Sequence, residues 1–300
     1  MTYTPIAVFA YNRPRHLQRT LNALKSNREA SLSELFIFLD GAKEHNLEQV
    51  KEVEQIARSI EGFAKITVIK QQKNIGLAQN VISGISHVLT EFETVIVLED
   101  DLMPSPFFLQ YMNDGLKIYH HDKKVASIHA YVHPLKPPLP QTSFLKYPNS
   151  WGWATWRRAW VIFEEDGTKL LAQLQNQKLT KEFDFNGNYR FTRMLQRQIE
   201  GKNNSWAIRW YASVFLNDML CLYPENSLIK DFGNDGSGEN CFNDSIFDVD
   251  LRLTPLIVNR IIIEDNKIIR KKYETYFYSI DSLKSRIKIK FKRYLRKYEK

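Results

Sequence analysis

Short apolar runs alternate with amphipathic stretches along residues 1–130. Five runs have the length and the β-branched or aromatic content that are typical of strands: 5–10, 35–39, 66–69, 94–98 and 125–129. Between them, apolar residues recur at helical spacing and predict four helices, one containing Leu17, Leu21 and Leu24 and three over 47–60, 76–89 and 104–119. Because the strands are continuously apolar, we predict an α/β fold with a mainly parallel sheet flanked by helices.

The pattern is less regular after residue 130. A proline-rich stretch over 134–148 predicts a surface loop, and residues 150–160 contain four of the six tryptophans in the chain. Residues 168–200 have a helical pattern, whereas 232–241 form a glycine-rich segment that favours either a mobile lid or a plain surface loop. We therefore predict a regular α/β half over 1–130, a less regular half of the same domain over 131–265, and a basic amphipathic tail over 266–300.

Polar side chains follow each of the first four predicted strands. Asn12 and Arg13 come after the first strand, Asp40 after the second, Asn74 after the third, and the run Glu99-Asp100-Asp101 after the fourth. Ligands of open parallel sheets bind at the carboxyl ends of the strands. We therefore expect these residues to meet at one edge and to form the functional site.

The acidic run at 99–101 is the strongest candidate for a metal site. Carboxylate oxygens suit Mg²⁺ or Mn²⁺, and such ions often bridge to substrate phosphates. The alternative is a solvated turn whose acids complement the N-terminus of the next helix. The position of this run beside the other strand-end groups favours the metal.

These motifs resemble those of GT-A fold glycosyltransferases. The similarity rests on Tyr11-Asn12-Arg13-Pro14, Asp40-Gly41, Asn74-Ile75-Gly76-Leu77 and the segment VIVLEDDLMPSPFFL, and it extends over about residues 4–112. The motifs resemble most closely the N-acetylglucosaminyltransferase I type, and the asparagine–glycine segment is also similar to glycosyltransferase family 2.

The resemblance implies that residues 1–130 form the nucleotide-sugar-binding half and residues 131–265 the acceptor-side half. It also implies a role for each matching position. Arg13 would lie near the donor diphosphate, Asp40 would contact the uracil edge, Glu99 and Asp100 would lie near the ribose and the donor sugar, and Asp101 would hold Mn²⁺ or Mg²⁺ directly. The donor-binding residues implied in this way are Tyr11, Asn12, Arg13, Asp40, Asn74, Gly76, Glu99 and Asp100. Arg13 could instead be a surface side chain, and Asp40 a turn residue before a glycine.

Two further predictions concern the acceptor. Sugars present apolar faces that stack on indole rings, and the Gly-Trp loop of this fold indicates Trp153 as an acceptor contact, with burial in the core as the alternative. An inverting transferase needs a carboxylate base near the acceptor hydroxyl. The acidic pair of the N-acetylglucosaminyltransferase I type is missing from the segment 206–210. The candidates are therefore Glu164, Glu165, Asp166, Glu200 and Asp218, of which we prefer Glu165 and Asp166.

The charge of the chain is concentrated at one end. The formal net charge is +8, but residues 267–300 contain 13 Lys+Arg and 3 Asp+Glu, which leaves −2 for the first 266 residues. A basic segment this short does not indicate nucleic-acid binding. Apolar residues of 283–298 fall on one helical stripe among lysines and arginines, which predicts an amphipathic helix on an anionic membrane surface. A helix docked on the protein and a disordered end are the alternatives.

The sequence thus predicts a metal-dependent glycosyltransferase that moves a sugar from a nucleotide-sugar donor, UDP-linked, to a glycan or lipid-linked acceptor in surface polysaccharide synthesis. We expect it in the cytoplasm, attached peripherally to the inner face of the membrane, because the N-terminus predicts a strand rather than a signal peptide. The alternatives are a sugar nucleotidyltransferase, which should have a glycine-rich phosphate loop after the first strand, and a non-catalytic nucleotide- or glycan-binding protein.

The tail prediction is tested by sedimentation with vesicles. The full chain should pellet with vesicles that contain anionic lipid and stay in solution with neutral ones, since each basic residue near an anionic surface contributes about 1 kcal/mol. A variant with Lys288, Lys290 and Lys292 changed to glutamine should pellet less. A wild-type chain that remains in solution with anionic vesicles would contradict the prediction.

Overall fold

The computed structural model describes residues 3–233, 235 and 246–282. The strands of its central sheet are β1 (Ile6–Ala10), β2 (Glu34–Leu39), β3 (Lys65–Lys70), β4 (Thr94–Glu99), β6 (Val125–His129), β7 (Thr142–Leu145), β8 (Trp153–Trp156) and β9 (Leu220–Pro224). Their order across the sheet is β3-β2-β1-β4-β8-β6-β9-β7. Two short strands, β5 (Leu102–Pro104) and β10 (Ile229–Asp231), pair in an antiparallel ribbon beside it.

The first four strands form the parallel half of the sheet. β1 pairs in parallel with β2 and β4, and β2 pairs in parallel with β3. Every residue of β1 is buried, which explains the continuously apolar sequence of this central strand. The predicted α/β fold is therefore confirmed, and the carboxyl ends of four neighbouring strands lie at one edge.

Helices cover both faces of the sheet. The helices are α1 (Pro14–Lys25), α2 (Leu47–Ser59), α3 (Leu77–Glu91), α4 (Phe108–Ile118), α5 (Arg157–Trp160), α6 (Gly167–Asn176), α7 (Thr180–Phe183), α8 (Phe191–Ile199), α9 (Trp206–Leu216) and α10 (Lys267–Asp281). Apolar residues of α1, α2 and α4 pack in one layer, and those of α3 and α6 to α10 pack in the other. Alternate residues of β1 contribute to the two layers, with Phe9 in one and Val8 in the other.

The second half of the sheet departs from the predicted parallel pattern. The tryptophan-rich segment supplies β8, which lies between β4 and β6 and is antiparallel to both. The prediction of a loop over 134–148 is partly wrong, because it contains β7, an edge strand that pairs antiparallel with β9. All four residues of β7 are buried. The sequence does not indicate a strand here because prolines precede it and because two of its residues, Thr142 and Ser143, are polar.

The segment 266–300 is not a separate tail from its first residue. Residues 267–281 form α10, in which Tyr273 and Phe277 are buried in the aromatic part of the core. This helix therefore packs on the core, although the lysines around its buried face give it the sequence of a basic tail, and the domain boundary at 266 stays a prediction. Residues 283–300, with the predicted membrane stripe, lie outside the described residues.

Two findings concern the membrane and the cysteines. In the described part of the chain, no helix combines the length and the apolar character needed to cross a bilayer. Cys221 is a buried free thiol in β9, and Cys241 lies outside the described residues.

Helix α3 approaches the sheet closely at Gly84. A Cβ atom at this position would lie 2.5 Å from Cε1 of Phe9, whose ring stacks on Phe38 with centroids 5.1 Å apart. The space between helix and sheet therefore has no room for a side chain here.

We expect Gly84→Leu to lower the free energy of unfolding by about 1–3 kcal/mol, since overpacking displaces the two phenylalanine rings. Chemical denaturation would measure the change. Gln79→Leu, on the exposed side of the same helix, is the matched control and should have a much smaller effect. Equal stability of the two variants would contradict this account of the packing.

Candidate functional site

The strand-end residues predicted from the sequence meet at the carboxyl edge of the parallel half. The side-chain amide of Asn74, after β3, donates to Asp40 Oδ2 at 3.0 Å, after β2. The guanidinium of Arg13, after β1, donates to Asp101 Oδ2 at 2.7 Å, after β4. Two pairs of neighbouring strands are thus tied together at this edge.

Asp40 braces the loop that leads into α3. Its Oδ1 accepts hydrogen bonds from the backbone amides of Gly41 and Ile75, both at 2.8 Å. Its Oδ2 accepts from the amide of Gly76 at 2.9 Å as well as from Asn74. A carboxylate has about four acceptor sites, so these four donors occupy Asp40 fully, and the side chain is 4% exposed.

This arrangement argues against the predicted contact between Asp40 and a uracil edge. Such a contact would have to replace one of the hydrogen bonds that hold Gly76 at the start of α3. Gly41 is required in the turn, because a Cβ there would lie 2.1 Å from the backbone carbon of Lys73. The structure therefore assigns Asp40-Gly41 to loop support, the alternative noted from the sequence.

Tyr11 connects the ends of β1, β2 and β4. Its backbone amide donates to Asp100 Oδ2 at 3.4 Å, and its hydroxyl accepts from the side chain of Asn46 at 3.2 Å and from the amide of Lys43 at 3.3 Å. Asn12 is half-buried in the same turn. These contacts place Tyr11 and Asn12 where the sequence predicted them, at the rim of the strand-end edge.

Arg13 and Asp101 form the central ion pair of this edge. Their side chains are only 12% and 19% exposed, and Arg13 also donates to the carbonyl of Gly233 at 3.0 Å. The Phe232 amide donates to the Asp101 carbonyl at 3.0 Å. A Cβ at Gly233 would lie 2.2 Å from Asp101 Oδ2, so only glycine permits this approach.

Phe232, Gly233 and Asp235 of the predicted lid lie over this pair, because the β5–β10 ribbon directs the chain back across the acidic turn. His16 stacks on Phe232 with ring centroids 5.2 Å apart, and its Nε2 is 3.2 Å from Asp235 Oδ2. Burial and the charge of Arg13 lower the pKa of His16. The rest of the lid segment, including Asn234 and residues 236–241, lies outside the described residues.

The carboxyl groups at the end of β4 destabilise each other's ionised form. Burial and the charge of Asp101 raise the pKa of Asp100 to about 7, and Arg13 offsets only part of this effect. Burial and the charges of Asp101 and Asp100 also raise the pKa of Glu99 well above its usual range. A bound cation would relieve this repulsion, which is the electrostatic property expected of a metal site.

A cleft of about 870 Å³ opens on the other side of Glu99. One wall is formed by Gly76, Leu77 and Ala78 at the start of α3, and the other by α8 and the loop before α9. The charged residues of the lining are Glu99, Arg190, Arg193, Arg197, Lys202 and Asp281. Glu99 thus lies between the strand-end pocket and a second, predominantly basic compartment.

Comparison with known families identifies this arrangement. Residues 6–151, from β1 to the start of the tryptophan-rich segment, match the family described as Glycosyl transferase family 2. The match includes every strand-end residue described above and confirms the predicted enzyme class, a glycosyltransferase. The likeness to the N-acetylglucosaminyltransferase I type stays a prediction.

Solved structures share parts of this fold at low similarity. TarS of S. aureus is 14% identical with a TM-score of 0.31, and the alignment covers 47% of this chain but only 24% of TarS. The mannosyltransferase PcManGT from Pyrobaculum calidifontis, solved with GDP-Man and Mn²⁺, is 12% identical with a TM-score of 0.37, covering 71% and 74%. The galactosyltransferase LgtC, solved with donor and acceptor sugar analogs, is 9% identical with a TM-score of 0.40, covering 73% and 72%. None of the curated proteins matches the chain in sequence.

The glycosyltransferase places a different tryptophan in its cleft from the one predicted. Trp153 is 0% exposed in β8 and stacks on Trp206 with centroids 5.6 Å apart, so it has no surface to offer an acceptor. Trp151 lines the cleft and is partly exposed. Gly152, with φ +61°, turns the chain between them. Side chains of a strand point alternately to its two faces, and Trp153 points into the core. This alternation was the signal that could have favoured Trp151 over Trp153.

The preferred base candidates of the glycosyltransferase also lie elsewhere. Asp166 caps the N-terminus of α6 by accepting from the amides of Thr168 and Lys169, and these bonds lower its pKa. Glu165 is exposed beside it, and neither residue lines the cleft. Asp166 therefore has a capping function that the sequence pattern Asp-Gly-Thr hides, and the assignment of these two as catalytic residues stays a prediction.

The other candidate acids are engaged outside the cleft. Glu164 accepts from the amide of Asp166 at 2.8 Å, Glu200 pairs with Lys202 at 2.6 Å, and Asp218 pairs with Lys146. The acids that line the cleft, among the described residues, are Glu99 and Asp281. Sequence reasoning placed Glu99 on the donor side and missed Asp281, which lies far along the chain in α10.

The residues at the end of β4 fit a divalent cation that is shared with a substrate. Among the described residues, no three acidic, histidine or cysteine side chains form a complete metal cage. Mg²⁺-type ions are commonly held by one or two carboxylates together with substrate phosphates. Asp101, with Asp100 beside it, offers such oxygen ligands, and their mutual repulsion fits a cation rather than an anion.

The raised pKa of Asp100 has a measurable consequence. Its carboxyl ionises near pH 4 when unfolded but at about pH 7 when folded, so its contribution to the free energy of unfolding falls as the pH rises through this window. Relative to wild type, Asp100→Asn should stabilise the metal-free protein by roughly 2–4 kcal/mol more at about pH 8 than at about pH 5.

Urea unfolding in EDTA at the two pH values measures this difference. Asp250→Asn, an exposed aspartate far along the chain, is the control and should leave the pH dependence unchanged. A stability change for Asp100→Asn that is the same at both pH values would contradict the assigned electrostatics.

Proposed function

We propose that the chain transfers a sugar from a UDP-sugar donor to a glycan or lipid-linked acceptor with the help of Mn²⁺ or Mg²⁺. The observation that carries this proposal is the Arg13–Asp101 pair, 2.7 Å apart at the strand-end edge of a family 2 glycosyltransferase domain. A guanidinium can bind the diphosphate of a nucleotide, and a carboxylate next to it can bind the metal ion that accompanies the diphosphate.

The donor would bind along the edge formed by Tyr11, Asn12, Arg13 and Gly76. Arg13 would contact the diphosphate, whose negative charge grows as the glycosidic bond breaks. The divalent cation, when bound to Asp101, supplies further positive charge to the same leaving group. Asn74 and Asp40 keep the loop before α3 in place but, with their polar groups used internally, make a positioning contribution rather than a direct one.

Phe232 and Gly233 would control access to the donor. The ribbon of β5 and β10 holds the start of this loop against Asp101, and Phe232 lies between His16 and Arg19, whose guanidinium carbon is 4.2 Å from the ring centroid. A donor diphosphate at Arg13 would compete with the Gly233 carbonyl for the guanidinium. Loop displacement on donor entry is therefore part of the proposal.

The acceptor would lie in the cleft beyond Glu99. Trp151 provides an aromatic surface there, which suits the apolar face of a sugar. Glu99 replaces Glu165 and Asp166 as the candidate for the base that activates the acceptor hydroxyl, because Asp281, the other acid of the cleft lining, is held by Arg190 through two hydrogen bonds. The raised pKa of Glu99 moves this carboxyl towards the range in which a general base operates near neutral pH.

We further propose attachment to the inner face of the cytoplasmic membrane, where surface polysaccharides are assembled. The support is the basic, amphipathic sequence after residue 282.

The role of Asp101 is tested by Asp101→Asn. The variant should lose donor hydrolysis and sugar transfer by about a hundredfold or more, since removal of a single group that stabilises the developing charge has effects of this size. Release of UDP from a panel of UDP-sugars, with Mn²⁺ or with EDTA, is the measurement. Asp250→Asn is the control and should retain activity.

Wild-type activity that persists in EDTA, or an active Asp101→Asn, would contradict the metal assignment. Binding of UDP with Mn²⁺ but no hydrolysis of any UDP-sugar would favour the non-catalytic alternative instead. Formation of a nucleotide-sugar from a sugar phosphate and UTP would favour the nucleotidyltransferase.

A further inference from the structure

The basic wall of the cleft is more than a solvated helix surface. Arg193 and Arg197 are four residues apart in α8, so their side chains share one face of that helix, and Arg190 precedes them at the N-cap. All three line the cleft that also contains Glu99, and Lys202 extends the row beyond the end of the helix. The three arginines span about 10 Å along the helix axis.

The positive charge of this wall is only partly neutralised within the protein. Arg190 forms a two-bond pair with Asp281, at 2.7 and 2.6 Å, and Lys202 pairs with Glu200 at 2.6 Å. Arg193 and Arg197 are exposed and form no ion pair within the described ranges, although Glu200 lies close enough for their charges to lower its pKa. Two guanidinium groups therefore face the cleft with their hydrogen-bonding edges available.

The positive charge of this wall is separate from the residues proposed to bind the donor. In the proposed function Arg13 contacts the diphosphate of the nucleotide-sugar and Asp101 holds the accompanying metal ion, and neither residue lines the cleft. Helix α8 lies outside residues 6–151, the part of the chain that matches glycosyltransferase family 2. The arginines of α8 therefore lie outside the family-matched region and across the cleft from Gly76. In this position they can select the acceptor.

We propose that the acceptor carries a phosphate or diphosphate group, which Arg193 and Arg197 bind while its sugar contacts Trp151. The planar guanidinium forms paired hydrogen bonds with phosphate oxygens, and two such groups one helical turn apart can engage a diphosphate or adjacent phosphates together. This inference rests on the proposed function, because it assigns the acceptor class of the same site. A lipid-linked diphosphate sugar and a phosphodiester polymer share this chemistry.

Equilibrium binding in EDTA tests the inference without any need for metal or catalysis. One arm compares farnesyl diphosphate-linked N-acetylglucosamine with the neutral farnesyl N-acetylglucosaminide. The other compares a short glycerol phosphate oligomer with a neutral polyglycerol of equal length. We expect the wild type to bind the phosphate-bearing member of one arm at least tenfold more tightly, and the arm that responds identifies the source of the phosphate.

The variants Arg193→Gln and Arg197→Gln should each raise the Kd for that probe about tenfold, and the double variant about a hundredfold, because each removes one charge-assisted contact. The double variant Arg28→Gln/Lys51→Gln removes the same charge from exposed sites elsewhere and should bind as the wild type does. Arg193→Lys should recover only part of the affinity, since lysine keeps the charge but not the planar pair of donors. Added NaCl should weaken wild-type binding.

Equal binding of charged and neutral probes in both arms, or unchanged binding by the Arg193→Gln/Arg197→Gln variant, would overturn the inference. Thermal unfolding of each variant would show that a loss of binding is not a loss of fold. UDP-sugar hydrolysis by the wild type with Mn²⁺ is measured separately. Its absence alongside intact phosphate-dependent binding would count against the proposed activity and not against the anion site.

Discussion

The repulsion among the carboxyl groups at the end of β4 is the constraint on which the site depends. Glu99, Asp100 and Asp101 are delivered together by one buried strand, and two of them resist ionisation because they are buried beside the third. Arg13 is the cation that the chain itself provides, and it pairs with Asp101. Its position after β1, the neighbour of β4 in the sheet, is what makes this compensation possible.

The rest of the edge is organised around this charge. Tyr11 donates its amide to Asp100, and the start of the lid loop lies on Asp101, with glycine where a side chain would collide with the carboxylate. Asp40, by contrast, has its own donors and contributes rigidity to the loop before α3. The site thus combines two kinds of carboxylate. Those of residues 99–101 repel one another and suit an exchangeable cation, whereas the carboxylate of Asp40 has all its hydrogen-bond acceptor sites occupied by the protein.

The two halves of the sheet contribute differently to the proposed reaction. The parallel half places its polar residues at a shared edge, and it lies within the family 2 region. The mixed half, with helices α8 and α9 packed against it, supplies the second compartment beyond Glu99. The strand-end residues therefore lie within the part of the chain that matches the family, whereas the basic residues of the cleft come from the part after it.

Local sequence determined the strands, most helices and the donor-side residues, because continuous apolar runs and strand-end polar residues are short-range signals. Arg13, Asp101 and Asn74 could be placed together from the alternation of strands and helices alone. The tertiary structure decided what depends on contacts far apart in the chain: that β8 separates β4 from β6, that Trp151 rather than Trp153 faces the cleft, that Asp166 caps a helix, and that Asp281 joins the cleft from α10. The exposure of a side chain depends on what packs against it in the folded chain. The same tryptophan can therefore be a core residue or a ligand contact, and the same carboxylate can be a helix cap or a metal ligand.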